Sequence, residues 1–327
     1  MITTLPEGFT ARPPTMEDTK AVAVLFAACE IADTGQPETT EADIRLRWQA
    51  PGVDLEKDAL VVVTSNGDII GFISIRARQD TRIYISPMVL PAYREQGIET
   101  YLVRKAEERA RQYIASVAPE MRVVMITDAA ESNAQMRQLL EQEGFTQVRS
   151  TWCMEMEMNE APPDPIWPAN ITVRTFVKGQ DDRATFDADD EAFHDHWGYL
   201  PADYEQWKYR NIDREGFDPS LWFLAYDGNE IAGLSLCLMK PQLGWVDDLA
   251  VRRPWRRSGL GLALLHHTFG EFYHRGIHTV GLYVDTQNLT GATRLYKRAG
   301  MHIAWQSHDY EKELRAGVDV SVRTLAV

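Results

Sequence analysis

A short turn rich in arginine and glycine separates an apolar stretch near residue 250 from a segment with helical periodicity. Its sequence is Arg256-Arg257-Ser258-Gly259-Leu260-Gly261. A turn between a strand and a helix points free backbone N–H groups at one spot, and the positive end of the helix dipole adds to them. Glycine suits such a turn because a Cβ atom would hold a bound phosphate away from the backbone. These residues therefore predict a pyrophosphate-binding site.

Two further polar residues follow about thirty positions later. Asn288 ends a second apolar strand, and Tyr296 lies one turn before the helix stop at Gly300. Each has a purely structural interpretation, because asparagine often caps helices and tyrosine often packs in cores. The position of Tyr296 between Asn288 and Gly300 favours a functional interpretation.

Together, the Arg-x-x-Gly-x-Gly turn and the Asn…Tyr…Gly segment resemble the GCN5-related N-acetyltransferase (GNAT) superfamily over residues 170–315. The resemblance implies that the fourth and fifth strands splay apart and that acetyl-CoA, the co-substrate, enters the gap. It also implies that backbone N–H groups near Leu249 and Val251 bind the pantetheine arm and that Tyr296 protonates the departing thiolate. The residues expected to bind acetyl-CoA are Leu249, Val251, Arg256, Arg257, Ser258, Gly259, Leu260, Gly261, Asn288 and Tyr296.

The chain also contains an internal repeat. Arg94 and Gly97 precede Arg256 and Gly259 by the same 162 residues. Strands and helical segments alternate in each copy, which is typical of an α/β fold. We therefore predict two tandem GNAT-like acyl-CoA N-acyltransferase domains, each a mixed, mostly antiparallel twisted sheet flanked by helices. The predicted bounds are 1–160 for the first domain, 161–168 for a proline-rich connector and 169–327 for the second domain.

The first copy has lost residues that the chemistry requires. Glu99 stands where the second copy has Gly261, and a carboxylate repels a pyrophosphate. Leu140 stands at the position of Tyr296 and cannot donate a proton. We therefore predict that the first domain is degenerate and that the second domain is catalytic.

Direct attack of an amine on the thioester needs a base to remove the ammonium proton. Asp247, Asp248 and His196 are the candidates, and the sequence does not choose between them. Strict alternation along a strand would put Asp247 and Asp248 on opposite faces, so that at most one reaches the cleft. The expected catalytic residues are Tyr296, Asn288, Asp247 and Asp248.

The acceptor amine is expected to lie against the segment after the first strand of the second domain. The residues expected to bind it are Glu191, His194, His196, Trp197 and Tyr199. His194 and His196 also suggest a metal site, but no third ligand stands at a typical spacing. We therefore expect no metal.

The tandem arrangement with a degenerate first half is similar to the mycothiol synthase group. That group implies a glutamate at the start of the fourth strand of the second domain. The corresponding stretch here is Leu243-Gly-Trp-Val-Asp-Asp248, which puts Trp245 near that position. The resemblance therefore leaves the acceptor open beyond a small-molecule primary amine. The alternatives are a non-catalytic acyl-CoA-binding or scaffold protein and a protein acetyltransferase that acts on N-termini or lysines.

Composition restricts the partners further. A net charge of −14 and a pI near 5.1 argue against nucleic acid, and the lack of a long apolar run argues against a membrane. Cys29, Cys153 and Cys237 lack pair spacing, which favours a reducing compartment without disulfides. With no signal-like N-terminus, we expect a cytoplasmic monomer or homodimer.

Overall fold

The computed structural model describes residues 4–79, 81–194, 196–288, 291–319 and 321. The chain forms two compact units. Unit 1 contains Met1–Ser150 and Trp305–Val320, and unit 2 contains Thr151–Ala304 and Ser321–Val327. Both units have the predicted α/β character, with a largely antiparallel sheet flanked by helices.

The first half of the chain contains seven strands and five helices among its described residues. The strands are Phe9–Arg12 (β1), Ala59–Thr64 (β2), Ile69–Arg78 (β3), Arg82–Ile85 (β4), Met88–Val89 (β5), Val123–Ala130 (β6) and Thr146–Glu157 (β7). The helices are Thr19–Thr34 (α1), Glu41–Trp48 (α2), Leu55–Asp58 (α3), Ile98–Tyr113 (α4) and Ala134–Gln142 (α5).

The second half repeats this order from its first strand onwards. Its strands are Ile171–Thr175 (β8), Trp222–Asp227 (β9), Glu230–Met239 (β10), Gly244–Val251 (β11), Thr279–Asp285 (β12) and His302–Arg315 (β13). Its helices are Asp182–Phe193 (α6), Tyr204–Asn211 (α7), Leu260–His274 (α8) and Ala292–Arg298 (α9).

Each sheet is completed by a strand that is distant in sequence. Unit 1 has the strand order β1-β2-β3-β4-β6-β13, with β5 also paired to β3. Unit 2 has the order β8-β9-β10-β11-β12-β7. In unit 1, β13 is antiparallel to β6, and in unit 2, β7 is antiparallel to β12. The last strand of each sequence repeat thus belongs to the sheet of the other unit, and the predicted bounds 1–160 and 169–327 describe the repeat rather than these units.

The fourth and fifth strands of unit 2 are paired only where they begin. β11 and β12 are parallel, and their register covers Gly244↔Val280 and Trp245↔Gly281. A Cβ atom on Gly281 would lie 2.6 Å from the Trp245 ring, so glycine lets the indole pack across the last paired rung. Beyond this rung β11 continues to Val251 without pairing to β12, as the resemblance implies.

The sheet of unit 2 lies between two apolar clusters. One contains the inner side of α8, with Leu264, Phe269 and Phe272 fully buried. The other contains Phe186 from α6 and Trp207 from α7. Burial of each large apolar side chain contributes about 1.5–3 kcal/mol, so both faces of β10 and β11 are held firmly where the candidate site lies.

The three cysteines, Cys29, Cys153 and Cys237, are buried free thiols. Among the described residues, none of the helices combines the length and apolar character needed to span a membrane.

Candidate active site

The arginine–glycine turn joins β11 to α8. Gly259 has a φ of 91° and caps α8, while Arg257 has a φ of 64°. Two left-handed residues in four positions reverse the chain sharply, so the first N–H groups of α8 have no carbonyl partner within the helix. These N–H groups and the helix dipole form the anion-binding geometry that the sequence predicts.

The side chains of the turn have different structural roles. Arg256 donates from Nε to the Val251 carbonyl at 3.0 Å and from Nη2 to the Ala192 carbonyl at 3.1 Å, which ties the turn to the end of α6. The exposed Arg257 side chain has no ion-pair partner within the described ranges. Ser258 donates to the Trp255 carbonyl at 2.7 Å. Arg257 is therefore the turn residue whose charge is available to an anion.

Gly261 has a packing role in addition to the predicted one. A Cβ atom at this position would lie 3.2 Å from Leu295 Cδ2 and 3.6 Å from Val251 Cγ2. The missing side chain thus lets α8 approach α9, the helix that carries Tyr296.

The gap side of β11 offers backbone groups to a ligand. Leu249 and Val251 pair with Ser235 and Gly233 of β10 on one side. On the other side β12 has diverged, and alternate N–H and C=O groups of an unpaired strand edge point outward. The predicted pantetheine-binding segment therefore has the required free edge.

Tyr296 is buried on α9, with a relative exposure of 7%. Burial raises the pKa of its phenol, and the nearby Asp248 raises it further. The phenol is therefore protonated at neutral pH, as a proton donor must be. Asn288 lies three residues beyond β12, where its N–H donates to the Asp285 carbonyl at 3.0 Å. The cap of α9 is Gly291, so capping does not explain Asn288.

A β-bulge interrupts β11 at Asp247. Leu236 pairs with Asp248 and Cys237 pairs with Val246, so Asp247 is the extra residue. A bulge redirects side chains and breaks the alternation of faces, and the expectation that Asp247 and Asp248 lie on opposite faces therefore does not hold here. Asp247 is exposed and Asp248 is half-buried.

The two carboxyl groups interact with each other and with a third. Burial raises the pKa of Asp248, and Asp189 and then Asp247 raise it further. Burial also raises the pKa of Asp247, although the charges of Lys240, Arg214 and Arg210 oppose this.

Asp189 is the member of this cluster that the sequence analysis did not identify. It is buried on α6, where Trp207 Nε1 donates to Oδ2 at 3.3 Å. Burial and the charge of Asp247 raise the pKa of Asp189 to about 7. The signal was present in the sequence, because Thr185, Phe186 and Ala192 form a helical stripe that would bury a carboxyl group at 189.

The segment predicted to bind the acceptor begins at the end of α6. Glu191 forms an ion pair with Arg252, at 2.6 Å from Nη2. His194 Nε2 lies 3.2 Å from Asp190 Oδ2, and the Tyr199 hydroxyl donates to the same oxygen at 2.9 Å. These contacts place Glu191 beside the strand end that precedes the glycine turn, and they place His194 with Tyr199.

The other two residues of this segment are half-buried. The His196 ring lies 4.4 Å from the Phe193 ring, and Trp197 follows it. Within the described ranges, His, Cys, Asp and Glu side chains form no group of three or more that could hold a metal ion.

Unit 1 repeats the turn with different chemistry. Glu95 has a φ of 63° and Gly97 a φ of 83°, which match the conformations of Arg257 and Gly259. Glu99 is buried, and burial raises its pKa although the N–H groups of Glu99 and Glu95 stabilise its charged form by hydrogen bonding. The Glu99 carboxyl group therefore uses backbone donors of the turn itself.

The residues of unit 1 that correspond to Arg256 and Tyr296 also pack against or pair with other protein groups. Arg94 forms a two-pronged ion pair with Asp33, at 2.7 Å and 2.9 Å. Leu140, at the position of Tyr296, is fully buried.

Comparisons with known proteins agree with this geometry. A model of the acetyltransferase (GNAT) family matches residues 24–145 and 184–301. The mycothiol acetyltransferase of Geodermatophilus obscurus is 27% identical over 290 residues, which cover 86% of this chain and 89% of that protein. The mycothiol acetyltransferase of Pseudarthrobacter chlorophenolicus is 30% identical over 244 residues, 71% of each chain.

Solved structures show the same fold across the chain. A GCN5-related N-acetyltransferase from Sphaerobacter thermophilus has a TM-score of 0.82 and 37% identity, over 97% of this chain and 99% of that one. A tandem GNAT protein from the clavulanic acid biosynthesis pathway has a TM-score of 0.71 and 14% identity, over 95% and 100%. The family resemblance seen in the sequence is thus confirmed, and the chain belongs to the GNAT family and is an acetyltransferase of that type.

Proposed function

We propose that the chain transfers the acetyl group of acetyl-CoA to the primary amine of a small molecule, and that unit 2 performs the reaction. The observation that carries this proposal is that Arg257, Gly259 and the Asp248–Tyr296 pair occur together in unit 2. Unit 1 keeps the turn conformation but has Glu95 and Leu140 in the places of Arg257 and Tyr296.

Binding is assigned to the gap between β11 and β12. The Arg257 guanidinium and the N–H groups that begin α8 would hold the pyrophosphate. The free edge of β11 at Leu249 and Val251 would bind the pantetheine arm and orient the carbonyl. Acetyl-CoA supplies the acetyl group as a thioester.

The chemical step needs one base and one acid. Asp247 or Asp248 would take the ammonium proton, so that the nitrogen lone pair is free to attack. The C–N bond forms as the C–S bond breaks, and the Tyr296 hydroxyl would give a proton to the departing sulfur. The nitrogen would then lose its second proton, which replaces the one that Tyr296 gave up, and the proton taken by the aspartate would leave to solvent. Asp248 is half-buried, and its charge acts on the buried Tyr296 phenol, which supports this division of roles.

The names of the relatives support a small-molecule acceptor, because they are mycothiol acetyltransferases. Trp245, which stands near the position where the mycothiol synthase group implies a glutamate, is buried, with the Lys240 Nζ atom 3.1 Å from its ring centroid. An indole covered by a cation cannot replace a carboxylate as an ammonium ligand. We therefore assign the acceptor only as a small-molecule primary amine.

A panel of small amines, incubated with acetyl-CoA, tests this proposal. The expected result is release of free coenzyme A thiol together with an acetylated amine detected by mass spectrometry. Tyr296→Phe is the matched variant, because it keeps the ring and removes only the hydroxyl. Tight binding of acetyl-CoA without turnover on any amine would favour the non-catalytic alternative, and turnover on peptides alone would favour a protein acetyltransferase.

A further inference from the structure

A lysine and two aromatic side chains meet where the gap between β11 and β12 opens. The Lys240 Nζ atom lies 3.1 Å from the centroid of the Trp245 ring and 4.8 Å from that of the Tyr283 ring. The two rings are in edge contact, with their centroids 4.6 Å apart and their planes at 66°. Trp245 belongs to the last paired rung of the two strands, and Tyr283 lies two residues beyond that rung on β12. The ammonium group therefore lies where the strands part.

This group is on the side of the sheet that α6 and α7 cover. Trp245 pairs with Leu238 of β10, and directly opposite residues share a face. Leu236, which alternation puts on the same face as Leu238, packs in the apolar cluster of α6 and α7. On β12, Leu282 packs in the cluster of α8 instead, so its neighbour Tyr283 is on the face away from α8. The segment predicted to bind the acceptor continues from α6, on this same side.

The two rings hold the ammonium group in one place. Trp245 is 2% exposed, and its ring packs where a Cβ atom of Gly281 would be. Tyr283 is 42% exposed and Lys240 is half-buried, so solvent reaches this group. Aromatic faces attract an ammonium group, and a side chain that is already ordered loses less conformational freedom when it binds a ligand. Lys240 is thus preorganised to receive an anion.

Carboxyl groups lie a short way along the same strand. Asp247 is exposed and follows Trp245 by two residues of β11, a rise of about 7 Å along the strand. Asp248, the next residue, is half-buried. The charge of Lys240 also acts on Asp247. The cleft therefore offers an ammonium group and carboxyl groups to one small ligand, which matches a molecule that carries both an acid and an amine.

The phosphates of acetyl-CoA do not account for Lys240. The glycine turn proposed to bind them follows Val251, at the other end of β11 from Gly244. Seven residues of extended strand separate these two ends, a distance of about 23 Å. An anion bound by Lys240 would therefore belong to a different molecule from the one bound by the turn.

We propose that Lys240 binds an anionic group, a carboxylate or a phosphate, on the acceptor amine, and that Trp245 and Tyr283 hold the Lys240 ammonium in place. The inference rests on the proposed function, and it deepens it by naming the substrate class, which is small primary amines that also carry an acidic group. One end of the acceptor then binds Lys240, and its amine lies at the carboxyl groups of β11.

Matched pairs of amines test the inference. The pairs are β-alanine and its primary amide, 4-aminobutyrate and its primary amide, and O-phosphoethanolamine and ethanolamine. The measured quantity is the ratio of kcat/KM for the acidic member to kcat/KM for the neutral member. The wild type is expected to prefer the acidic member of a carboxylate or phosphate pair by about tenfold or more, as a hydrogen bond between charged groups provides. A wild type that prefers the neutral member of every pair it acetylates overturns the inference.

Lys240→Met removes the charge and keeps an unbranched side chain over the rings. Its ratio is expected to fall by about tenfold or more, whereas Lys240→Arg keeps the charge and should keep most of the preference. Loss of the Lys240 charge also alters the surroundings of Asp247, but that effect applies to both members of a pair and cancels in the ratio.

Lys178→Met is the matched control. The Lys178 Nζ atom lies 5.7 Å from the centroid of the Phe217 ring and 3.3 Å from Asp213 Oδ1, so this variant removes the same charge from another lysine over a ring in unit 2. Its ratio is expected to equal that of the wild type. A ratio that does not fall in Lys240→Met, or that falls equally in Lys178→Met, overturns the inference and leaves the proposed function intact.

A measurement on the unmodified protein covers a variant that does not fold and a chain that acetylates none of these amines. Lysines are methylated reductively in the presence of coenzyme A and the N-acetyl form of each probe, which keeps the acidic group but has no reactive amine. Mass spectrometry then locates the modified lysines. The acidic probes are expected to slow methylation of Lys240 and not of Lys178. Absence of protection by every acidic probe, or equal protection by the neutral ones, overturns the inference.

Discussion

Arg257 and Glu95 occupy the same position of the turn in the two units, with φ values of 64° and 63°, and carry opposite charges. The backbone that would receive a phosphate is therefore kept in both units. The charge that would attract the phosphate is kept in unit 2 alone. This separation of backbone shape from side-chain charge explains how one fold appears twice while the proposed chemistry is assigned once.

Replacement of Gly259 by valine is expected to weaken acetyl-CoA binding about tenfold or more, a loss of about 1.4 kcal/mol or more. No atom lies within 4 Å of the added Cβ in the free protein, but the residue has a φ of 91° and faces the proposed phosphate site. The valine would distort the turn and displace the phosphate from the N–H groups. Titration calorimetry measures the change.

Gly276→Val provides the control for backbone strain. Gly276 follows α8, has a φ of 77° and also has open space around its Cβ position. Both variants should lose thermal stability to a similar degree, but only Gly259→Val should lose affinity. Equal affinities for the two variants would remove the turn from the proposed binding site.

Tyr296→Phe is expected to lower turnover by about 10²- to 10⁴-fold, the usual contribution of a general acid. Its affinity for acetyl-CoA should change little, because the ring that packs between α9 and the sheet remains. Tyr273→Phe, on α8, is the control, since the Tyr273 ring packs against His278 outside the cleft. Wild-type turnover of Tyr296→Phe, measured in single-turnover experiments, would exclude the phenol as the proton donor.

The turn and the strand–helix order could be predicted from the sequence because each depends on residues close together in the chain. The repeat could be predicted because two segments of the sequence can be compared directly. Gly259 and Gly261 indicate a tight turn within six residues, and the constant spacing between Arg94 and Arg256 indicates the repeat. The strand exchange could not be read in this way. β7 and β13 have the same alternation whether they pair with their own half or the other one, since pairing partners depend on contacts between distant residues.

The site was predictable in part for the same reason. Tyr296 and Asn288 have characteristic spacing, whereas the bulge at Asp247 exists only in the register between β10 and β11. A regular strand would place the side chains of Asp247 and Asp248 on opposite faces of the sheet. Sequence alternation alone therefore does not predict that these two carboxyl groups and Asp189 influence one another. Asp189 was overlooked because histidines and aromatic residues at 194–199 looked more like a binding segment than one aspartate within a helix.

Asp189 should also make the unfolding free energy depend on pH. Its pKa is about 7 in the folded protein and 3.8 as a free side chain, so the folded state binds its proton more tightly. The stabilisation is present in full below about pH 4 and is lost as the pH rises through about 7.

Urea unfolding of the wild type and of Asp189→Asn at several pH values measures this effect. The variant should gain stability relative to the wild type between about pH 5 and pH 8. Asp187→Asn should show no such relative gain, because Asp187 is exposed. Parallel curves for the wild type and Asp189→Asn would mean that the buried carboxyl group keeps an ordinary pKa.

The last prediction concerns stoichiometry: the full chain should bind one acetyl-CoA. In unit 1 the Glu99 carboxyl group accepts hydrogen bonds from the turn's own N–H groups, Glu95 replaces the free arginine, and Arg94 is neutralised by Asp33. A pyrophosphate would have to displace the Glu99 carboxylate and approach the Glu95 carboxylate. The free energy this requires is larger than the remaining contacts with backbone N–H groups would supply. Calorimetric titration of the wild type should give one site, and Gly259→Val should weaken that same site by about tenfold or more. The combined change Glu95→Arg and Glu99→Gly restores the charge and shape of the turn in unit 1, and it should create a second, weaker site. Two tight sites in the wild type would contradict the degenerate character of unit 1.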